Sequence, residues 1–569
     1  MKRLLSYRTI CSLFTVSALA LGACTDTWND HYDTAAQDAR QGSLWQAIQA
    51  DSQLSNFARV LQACGYDASL KSSQVFTVFA PTNQSLSEAQ ADSIIAVYNA
   101  EKQDGKKDDD NAAIKEFLQN HIALYNYSAS SLSNDSIVMM NGKYTVLTPT
   151  TFGGCTITKK NSLYENGVLF ILSERVPYNA NVFERIGKIA GLDSVAQFLY
   201  SYNEYEFDAS SSVAGGIVDG RTVYLDSVMV LQNKLFNYLG LINAEDSSYY
   251  MVAPTNEQWN QLIPRYEQCF QYASNVSKRD SLQFINSRLA LLRGTVFSRT
   301  FNSDQSLRDS AVSVNALRRY QFRSLLYGSS KLHYYQYGDR ENPRAFFDGL
   351  SSAEASNGRV FWNPTAWPID SRETFMQQVF MEGESRSTLK EVASGTKTPL
   401  ASVSVASTNP FYNKLSNNGY GVIEPTGSLN PNVTLNIEGV LSNTPYDIYL
   451  VIAPALAGDT AASMRERLPT KFRCALTYRT ADSKEETYAL PNGGKTINNG
   501  TDFITTPDVV DSVLVGKGIV FPTCTYGLDE AQVTLQILCR VGSTDINANR
   551  YNRIIRLDQI LLVPSKEEE

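Results

Sequence analysis

The strongest constraint on the fold is a short pattern that occurs twice in the chain. Residues 76–83 read FTVFAPTN, and residues 249–256 read YYMVAPTN. In each copy a run of β-forming residues stops at a proline, which cannot donate to a sheet ladder. Thr-Asn follows, and both residue types favour the start of a helix. Each copy therefore predicts a strand, a turn and a helix, and the two copies predict a duplicated domain.

Two further landmarks follow each copy in the same order. Residues 114–125 and 281–292 carry apolar side chains at the spacing of an amphipathic helix. Asn-Gly then precedes an apolar run at 166–167 and again at 357–358, and this dipeptide favours a tight hairpin turn. Three landmarks in one order strengthen the prediction of a repeat.

These motifs resemble the fasciclin domain, a compact β-wedge with added helices that serves mainly in adhesion and extracellular association. The first copy matches through residues 76–83, the helix that ends near His121, and residues 166–176. For His121 we favour a packing and hydrogen-bonding role over ligation or catalysis, because no Cys, Ser or acidic partner is visible near it. In the second copy Arg288 or its neighbour stands where the family carries the histidine.

The resemblance implies one fasciclin-like domain over residues 43–180 and a second, divergent one with insertions over residues 181–373. From residue 374 to 569 the sequence consists of short β-rich runs separated by Gly and Pro. This pattern predicts an all-β sandwich of the jelly-roll type. The final strand resembles the last strand of galactose-binding-like sandwiches. The predicted fold class is thus multi-domain, α+β and β: two β-wedge domains followed by a sandwich.

Residues 1–23 read as a signal peptide, with Lys2, Arg3 and Arg8 ahead of a short apolar stretch. The stretch ends in Leu-Gly-Ala before Cys24, which resembles a bacterial lipobox and predicts a diacylglyceryl group on Cys24. Residues 24–42 then form a polar tether, and its first part, residues 25–30, is acidic and resembles export signals of surface lipoproteins. The prediction is a lipid anchor in the outer membrane with exposure at the cell surface; which leaflet holds the anchor stays open.

Composition disfavours several classes of partner. The chain carries 50 Lys and Arg against 58 Asp and Glu, a net charge of −8, so a nucleic-acid partner is not expected. Six cysteines outside the signal and lipobox form no CxxC pair and are predicted to be buried apolar residues: Cys64, Cys155, Cys269, Cys474, Cys524 and Cys539. With three histidines in the whole chain, neither a metal site nor a cofactor is expected.

No catalytic motif stands out in the sequence, which has no nucleophile elbow, zinc-protease helix, phosphate loop or dinucleotide loop. Paired carboxylates remain open, since their partners can lie far apart in sequence. For ligand binding the candidates are aromatic side chains that stack on sugars: Trp362 and Trp367 around a proline, and Tyr334 and Tyr335 in a tyrosine cluster. The alternative is that Trp362 fills the core of its domain.

The leading hypothesis is a surface-exposed, non-catalytic lipoprotein that binds a glycan, a peptide or a partner protein. Its layout resembles accessory subunits of TonB-dependent transporters and their lid lipoproteins, which implies nutrient uptake. The alternative is cell adhesion or matrix attachment, and a glycoside hydrolase ranks below both.

Overall fold

A computed structural model describes residues 42–127, 135–218, 221–298, 312–313, 321–323, 330–332 and 346–565. The chain divides into two compact units. The first holds Met1–Asn179 with Asp208–Met229, and the second holds Ala180–Phe207 with Val230–Glu569. Among the helices that the structure describes, none has both the length and the apolar character needed to cross a membrane.

The first unit combines helices with one seven-stranded sheet. Its helices are α1 (Leu44–Ala50), α2 (Ser55–Ala63), α3 (Tyr66–Ser69), α4 (Glu88–Gln103) and a π-helix (Ala113–Leu118), with 3₁₀ turns at Ser52–Leu54 and Asp108–Asp110. Its strands are β1 (Phe76–Pro81), β2 (Ile122–Ala123), β3 (Asp135–Val138), β4 (Tyr144–Leu147), β5 (Thr151–Phe152), β6 (Cys155–Tyr164) and β7 (Gly167–Leu172). The strand order is β2-β1-β7-β6-β5-β4-β3, and β1 runs parallel to β7.

Strands β1 and β7 are buried along their whole length, which explains why both read as continuous apolar runs. Side chains alternate between the two faces of a strand. Val78 of β1 therefore joins the core beneath the helices, while Phe79 joins a second core in which its ring stacks on Phe152 at 3.6 Å and on Phe170 at 4.9 Å. The sheet is thus covered on both faces.

The segment 180–373 contains a smaller sheet and two hairpins, and residues Asp208–Met229 of the first hairpin belong to the first unit. Its helices are α5 (Val182–Ile186), α6 (Asp193–Tyr200), α7 (Phe236–Leu239), α8 (Asn256–Cys269) and α9 (Arg279–Leu292). Its strands are β8 (Asn203–Val218), β9 (Arg221–Asn233), β10 (Tyr249–Val252), β11 (Val296–Ser298), β12 (Val312–Ser313), β13 (Gln321–Arg323), β14 (Ser330–Leu332), β15 (Ser351–Ala355) and β16 (Gly358–Trp362). The sheet order is β12-β11-β10-β16-β15, with β10 parallel to β16; β8-β9 and β13-β14 are separate hairpins.

The rest of the second unit contains two six-stranded antiparallel sheets. Short helices are α10 (Ser371–Thr374), α11 (Ala455–Gly458) and α12 (Ser543–Asn547), with 3₁₀ turns at Ser416–Asn418 and Ile497–Asn499. The strands are β17 (Val379–Glu382), β18 (Leu389–Val392), β19 (Ala401–Ser404), β20 (Gly419–Ile423), β21 (Asn432–Ile437), β22 (Pro445–Ile452), β23 (Lys471–Arg479), β24 (Glu485–Ala489), β25 (Phe503–Ile504), β26 (Asp511–Val520), β27 (Val533–Cys539) and β28 (Ile555–Pro564). One sheet has the order β19-β20-β28-β22-β26 with β17 beside β28, and the other has the order β18-β21-β27-β23-β24 with β25 beside β23. Inward side chains of both sheets share one hydrophobic core that includes Tyr446, Phe472 and Phe521.

Helices α8 and α9 share their hydrophobic core with side chains from loops between the C-terminal strands, among them Leu441 and Cys524. Hydrogen bonds reinforce this contact: Ser442 Oγ donates to the carbonyl of Gln268 at 2.7 Å, and Tyr272 OH donates to the carbonyl of Tyr526 at 2.8 Å. Residues 374–569 belong to one compact unit with the residues from Val230 onward, and the domain boundary that the sequence predicts at residue 374 stays a prediction.

The predicted strand before each Ala-Pro and both predicted hairpin turns before Gly167 and Gly358 are confirmed. The predicted helix over residues 114–125 was too long. The π-helix ends at Leu118, and the chain then enters β2 so that it can pair with β1. The turn that follows Pro81 also differs from the prediction, because α4 begins only after Ser87, whose side chain caps it.

Candidate functional site

His121, in the first unit, is completely buried. Its Nδ1 lies 2.7 Å from the carbonyl oxygen of Phe117, and its Nε2 accepts a hydrogen bond from the backbone N–H of Val176 at 3.1 Å. Since Nε2 accepts, the proton is on Nδ1 and is donated to Phe117. Burial lowers the pKa of His121 to about 4, and the nearby Arg175 acts in the same direction. The imidazole is therefore neutral at ordinary pH and ties the π-helix to residues 175–176.

A groove opens beside this link, between α4, the π-helix and residues 175–178, with a volume of about 210 Å³. We call it the α4 groove. Its lining residues are Ser93, Ile94, Val97, Ala112, Ala113, Glu116, Phe117, Arg175, Val176 and Tyr178. Aliphatic side chains dominate this lining, and the charged groups are one carboxylate and one guanidinium.

The charges of the α4 groove come from Arg175 and Glu116. Arg175 is exposed, and its guanidinium carbon lies 5.9 Å from the centroid of the Phe117 ring. No carboxylate in the described part of the chain forms an ion pair with Arg175. Glu116, in contrast, is already engaged in an interaction. The groove therefore presents an unpaired positive charge beside an apolar wall.

Asn166 holds the start of the parallel strand pair formed by β1 and β7. Its Oδ1 accepts from the N–H of Leu44 at 2.8 Å, and its Nδ2 donates to the carbonyls of Leu70 and Ser72, both at 2.9 Å. The next residue, Gly167, has a φ of +144°, and a Cβ there would lie 1.9 Å from the carbonyl oxygen of Phe76. Only glycine fits this position, so the Asn-Gly motif serves packing rather than ligand binding.

The same network recurs in the second unit. Asn357 Oδ1 accepts from the N–H of Val182 at 2.8 Å, and Asn357 Nδ2 donates to the carbonyls of Ile242 at 3.0 Å and Ala244 at 2.7 Å. Gly358 follows with a φ of +148° and an equally close approach to the backbone of Tyr249. The two regions thus share connectivity at the level of individual hydrogen bonds.

The residue equivalent to His121 in the second unit is Thr295, and the expectation of Arg288 or its neighbour was wrong. The carbonyl of His121 accepts from Phe79, and the carbonyl of Thr295 accepts from Val252, which stands at the same place in its strand. Thr295 is fully buried, and its hydroxyl donates to the carbonyl of Leu292 at 2.6 Å. The Thr295 hydroxyl thus makes the bond to the preceding helix that His121 Nδ1 makes to Phe117.

Arg288 lies within α9, whereas Thr295 follows the end of that helix. Its Nη1 pairs with Glu267 Oε1 at 3.0 Å, and its guanidinium carbon lies 3.7 Å from the centroid of the Phe284 ring. Both contacts hold the side chain against the surface of α8 and α9. The position of Arg288 therefore has a structural explanation in its own helix pair.

Of the predicted ligand-binding aromatics, the structure describes Trp362 and Trp367. Trp362 and Trp367 are both half-buried and pack against the core of the second unit. The loop between them is held by Asn363, whose carbonyl accepts from Gln258 Nε2 at 2.8 Å and whose Oδ1 accepts from the N–H of Thr365 at 3.0 Å. This is the packing arrangement that the sequence left as the alternative. Tyr334 and Tyr335, like Cys24, lie outside the described residues.

A second, much smaller cleft lies where β22 and β28 meet the loops of the C-terminal sheets. Arg467 forms a two-pronged ion pair there with Asp508, at 2.9 Å and 2.6 Å, and Glu466 and Arg556 also line it. Its volume is about 20 Å³, which is room for about one water molecule. A sugar ring does not fit in this cleft.

The six cysteines predicted to be buried are all buried and free. Burial raises the pKa of Cys64 and of Cys524 to about 12 and that of Cys539 to about 11, and it also raises the pKa of the other three thiols. Each thiol is therefore protonated and poorly nucleophilic at neutral pH. In the part of the chain that the structure describes, no group of three or more His, Cys, Asp or Glu side chains is placed to hold a metal ion.

Comparison with known proteins identifies the class of the first unit. Residues 52–175 match the fasciclin domain family, so this segment is a fasciclin domain, the fold that the residues around Ala-Pro and Asn-Gly predicted. Fasciclin domains are associated with adhesion and binding. No curated protein sequence matches the chain. A solved structure of a FAS1 domain pair from the insect cell adhesion molecule fasciclin I is similar at 10% identity, covering 56% of this chain and 93% of that chain, with a TM-score of 0.16. At so low a TM-score we draw nothing further from that likeness.

Proposed function

We propose that this protein is an exported, non-catalytic lipoprotein, anchored in the outer membrane through Cys24, that binds an extracellular partner at the cell surface. The observation that carries the proposal is the fasciclin domain over residues 52–175, which belongs to a class associated with adhesion or binding. Its open α4 groove, about 210 Å³ in volume, offers a surface for such a partner. The lipobox-like sequence before Cys24 supports export and anchoring.

The proposal includes a domain layout. We infer a tether over residues 24–42, fasciclin-like domains over residues 43–180 and 181–373, and a jelly-roll-like β-sandwich over residues 374–569. The repeated Asn-Gly network at Asn166 and Asn357 supports the second fasciclin-like domain. Two six-stranded sheets around one core support the sandwich.

The proposal of a non-catalytic role rests on the chemistry of the buried reactive groups. Both nitrogens of His121 are engaged with backbone groups, so the imidazole has no nitrogen left to act as a base. The described thiols have raised pKa values and are poor nucleophiles. A binding role therefore explains these residues better than a catalytic role does.

Within this class we favour an accessory role in nutrient uptake, beside a TonB-dependent transporter and its lid lipoprotein, with a glycan or a peptide as the ligand. The test is capture of the tagged protein from solubilised outer membrane, followed by identification of its partners, together with affinity measurements against oligosaccharide and peptide panels. Recovery of a transporter supports the uptake role. Absence of both a transporter and a ligand contradicts it.

The second candidate is adhesion or matrix attachment, which the association of fasciclin domains with adhesion favours. A deletion strain separates the two roles. Loss of surface attachment with unchanged growth on all nutrients supports adhesion, whereas a growth defect on one nutrient with normal attachment supports uptake.

A further inference from the structure

We propose that the α4 groove docks a partner protein through an extended segment in which an aliphatic side chain lies next to an acidic one. This inference rests on the proposed binding function and deepens it by naming the surface and the partner's chemistry. The groove belongs entirely to the first unit, between α4, the π-helix and residues 175–178.

The size and the walls of the groove favour an aliphatic side chain over a sugar. Pockets for drug-sized ligands commonly measure about 300–1,000 Å³, whereas this one measures about 210 Å³. Of its two aromatic residues, Phe117 is only 5% exposed and the ring of Tyr178 faces the Lys143 ammonium at 5.2 Å. The buried Phe117 ring offers no open face on which a sugar can stack, and one face of the Tyr178 ring is already occupied by Lys143. A Leu, Ile or Val side chain matches both the volume and the aliphatic lining.

The charge beside the groove favours an acidic neighbour on that side chain. Arg175 is exposed and has no carboxylate partner among the described residues, while Glu116 is already engaged. A guanidinium forms two parallel hydrogen bonds with a carboxylate, which adds direction to the attraction. An Asp or Glu next to the inserted aliphatic residue satisfies Arg175 and fixes the register of the peptide.

Helix α4 leaves part of its apolar surface exposed. Of its 16 residues only Ala91 is fully buried, and Val97, which lines the groove, is 40% exposed. The opposite wall is a π-helix, a rare element that is frequently found at functional sites. The two hydrogen bonds of His121 hold this wall to residues 175–176, so the groove is formed before a partner arrives.

The test is a selection of displayed random peptides on the full chain, compared with two double variants. The groove variant carries Val97→Glu and Arg175→Glu, and the control variant carries Val75→Glu and Lys159→Glu. Val75, at 41% exposed, and Lys159, also exposed, lie outside the groove. We expect selected peptides to share an aliphatic residue next to an acidic one. They should bind the wild type and the control variant alike and bind the groove variant about tenfold more weakly.

A second measurement needs no change in the protein. Replacing the acidic residue of a selected peptide by lysine should weaken its binding to the wild type about tenfold. Peptides that bind all three proteins equally, or whose binding survives the lysine replacement, overturn the docking inference. The proposed function is tested separately by capture from the outer membrane. If the groove variant captures the same partner as the wild type, the inference fails while the binding function stands.

Discussion

The backbone N–H of Val176 points at Nε2 of His121 across 3.1 Å, and this bond joins two segments that are 55 residues apart in the chain. The other ring nitrogen donates to the carbonyl of Phe117, so the imidazole spans the fasciclin domain from the π-helix to the segment after β7. The histidine is thus a cross-link of the fold, and the two residues that it joins, Phe117 and Val176, both line the α4 groove.

Replacing His121 by alanine should destabilise the first unit. The change leaves the buried N–H of Val176 and the carbonyl of Phe117 without their partner and opens a cavity, which together cost about 3 kcal/mol of unfolding free energy. Urea unfolding, with hydrogen exchange of residues 175–176 as the local probe, measures the effect. An unchanged midpoint together with unchanged exchange would show that the bond contributes nothing.

Acid should destabilise the first unit through the same residue. The pKa of His121 is about 4 in the folded state against 6.5 ordinarily, so below pH 6.5 the unfolded state binds the proton first. The stability is complete above pH 6.5 and falls as pH decreases to 4, by about 3 kcal/mol in total. In the His121→Gln variant this part of the pH dependence should disappear. Equal pH profiles for both proteins would refute the assignment.

The two Asn-Gly glycines should not tolerate a side chain. Alanine at Gly167 places Cβ 1.9 Å from the Phe76 carbonyl oxygen, and alanine at Gly358 places it 1.7 Å from that of Tyr249, so neither variant should fold normally. Gly65 is the matched control: its φ is also positive, at +77°, but a Cβ there meets nothing within 4 Å. Gly65→Ala should cost only about 1 kcal/mol. Circular dichroism and thermal unfolding of the three variants check this, and a normally folded Gly167→Ala protein would contradict it.

The shared core of the second unit should make its two parts unfold together. Leu441, at 3% exposed, packs with α8 and α9 although it belongs to the C-terminal region. Leu441→Ala should cost about 2–5 kcal/mol and should lower hydrogen-exchange protection in α9 and in the C-terminal sheets at once. Leu241→Ala, at a residue 50% exposed, is the control and should change neither. Loss of protection confined to one part would mean that the two parts unfold independently.

Local chemistry was enough to predict the strands and turns of the repeat. Proline stops β1, and an Asn-Gly pair begins β7, because each residue restricts the backbone by itself. Most of the C-terminal strands were also predicted, from β-rich runs such as the one that became β22 (Pro445–Ile452). The hairpin of β8 and β9 was missed, since serines and glycines interrupt the alternating apolar pattern of β8.

The α4 groove and the Thr295 equivalence could not be predicted from the sequence. The groove lining comes from three separate segments, around residues 93–97, 112–117 and 175–178, which meet only in the folded domain. One of its walls is a π-helix, whose repeat differs from the helical period of 3.6 residues that sequence patterns reveal. Thr295 is matched to His121 by strand register, whereas the helical pattern over residues 281–292 led to Arg288.

The central claim is that the chain is displayed at the cell surface through a lipid on Cys24. The most direct test adds protease to intact cells and follows the protein in wild-type and Cys24→Ser strains, with a periplasmic protein as the control for cell integrity. The claim predicts that the wild-type protein is cell-associated and degraded while the periplasmic control survives, and that the Cys24→Ser protein is no longer held in the membrane. A wild-type protein that survives protease, or a Cys24→Ser protein that stays in the membrane fraction, would contradict it.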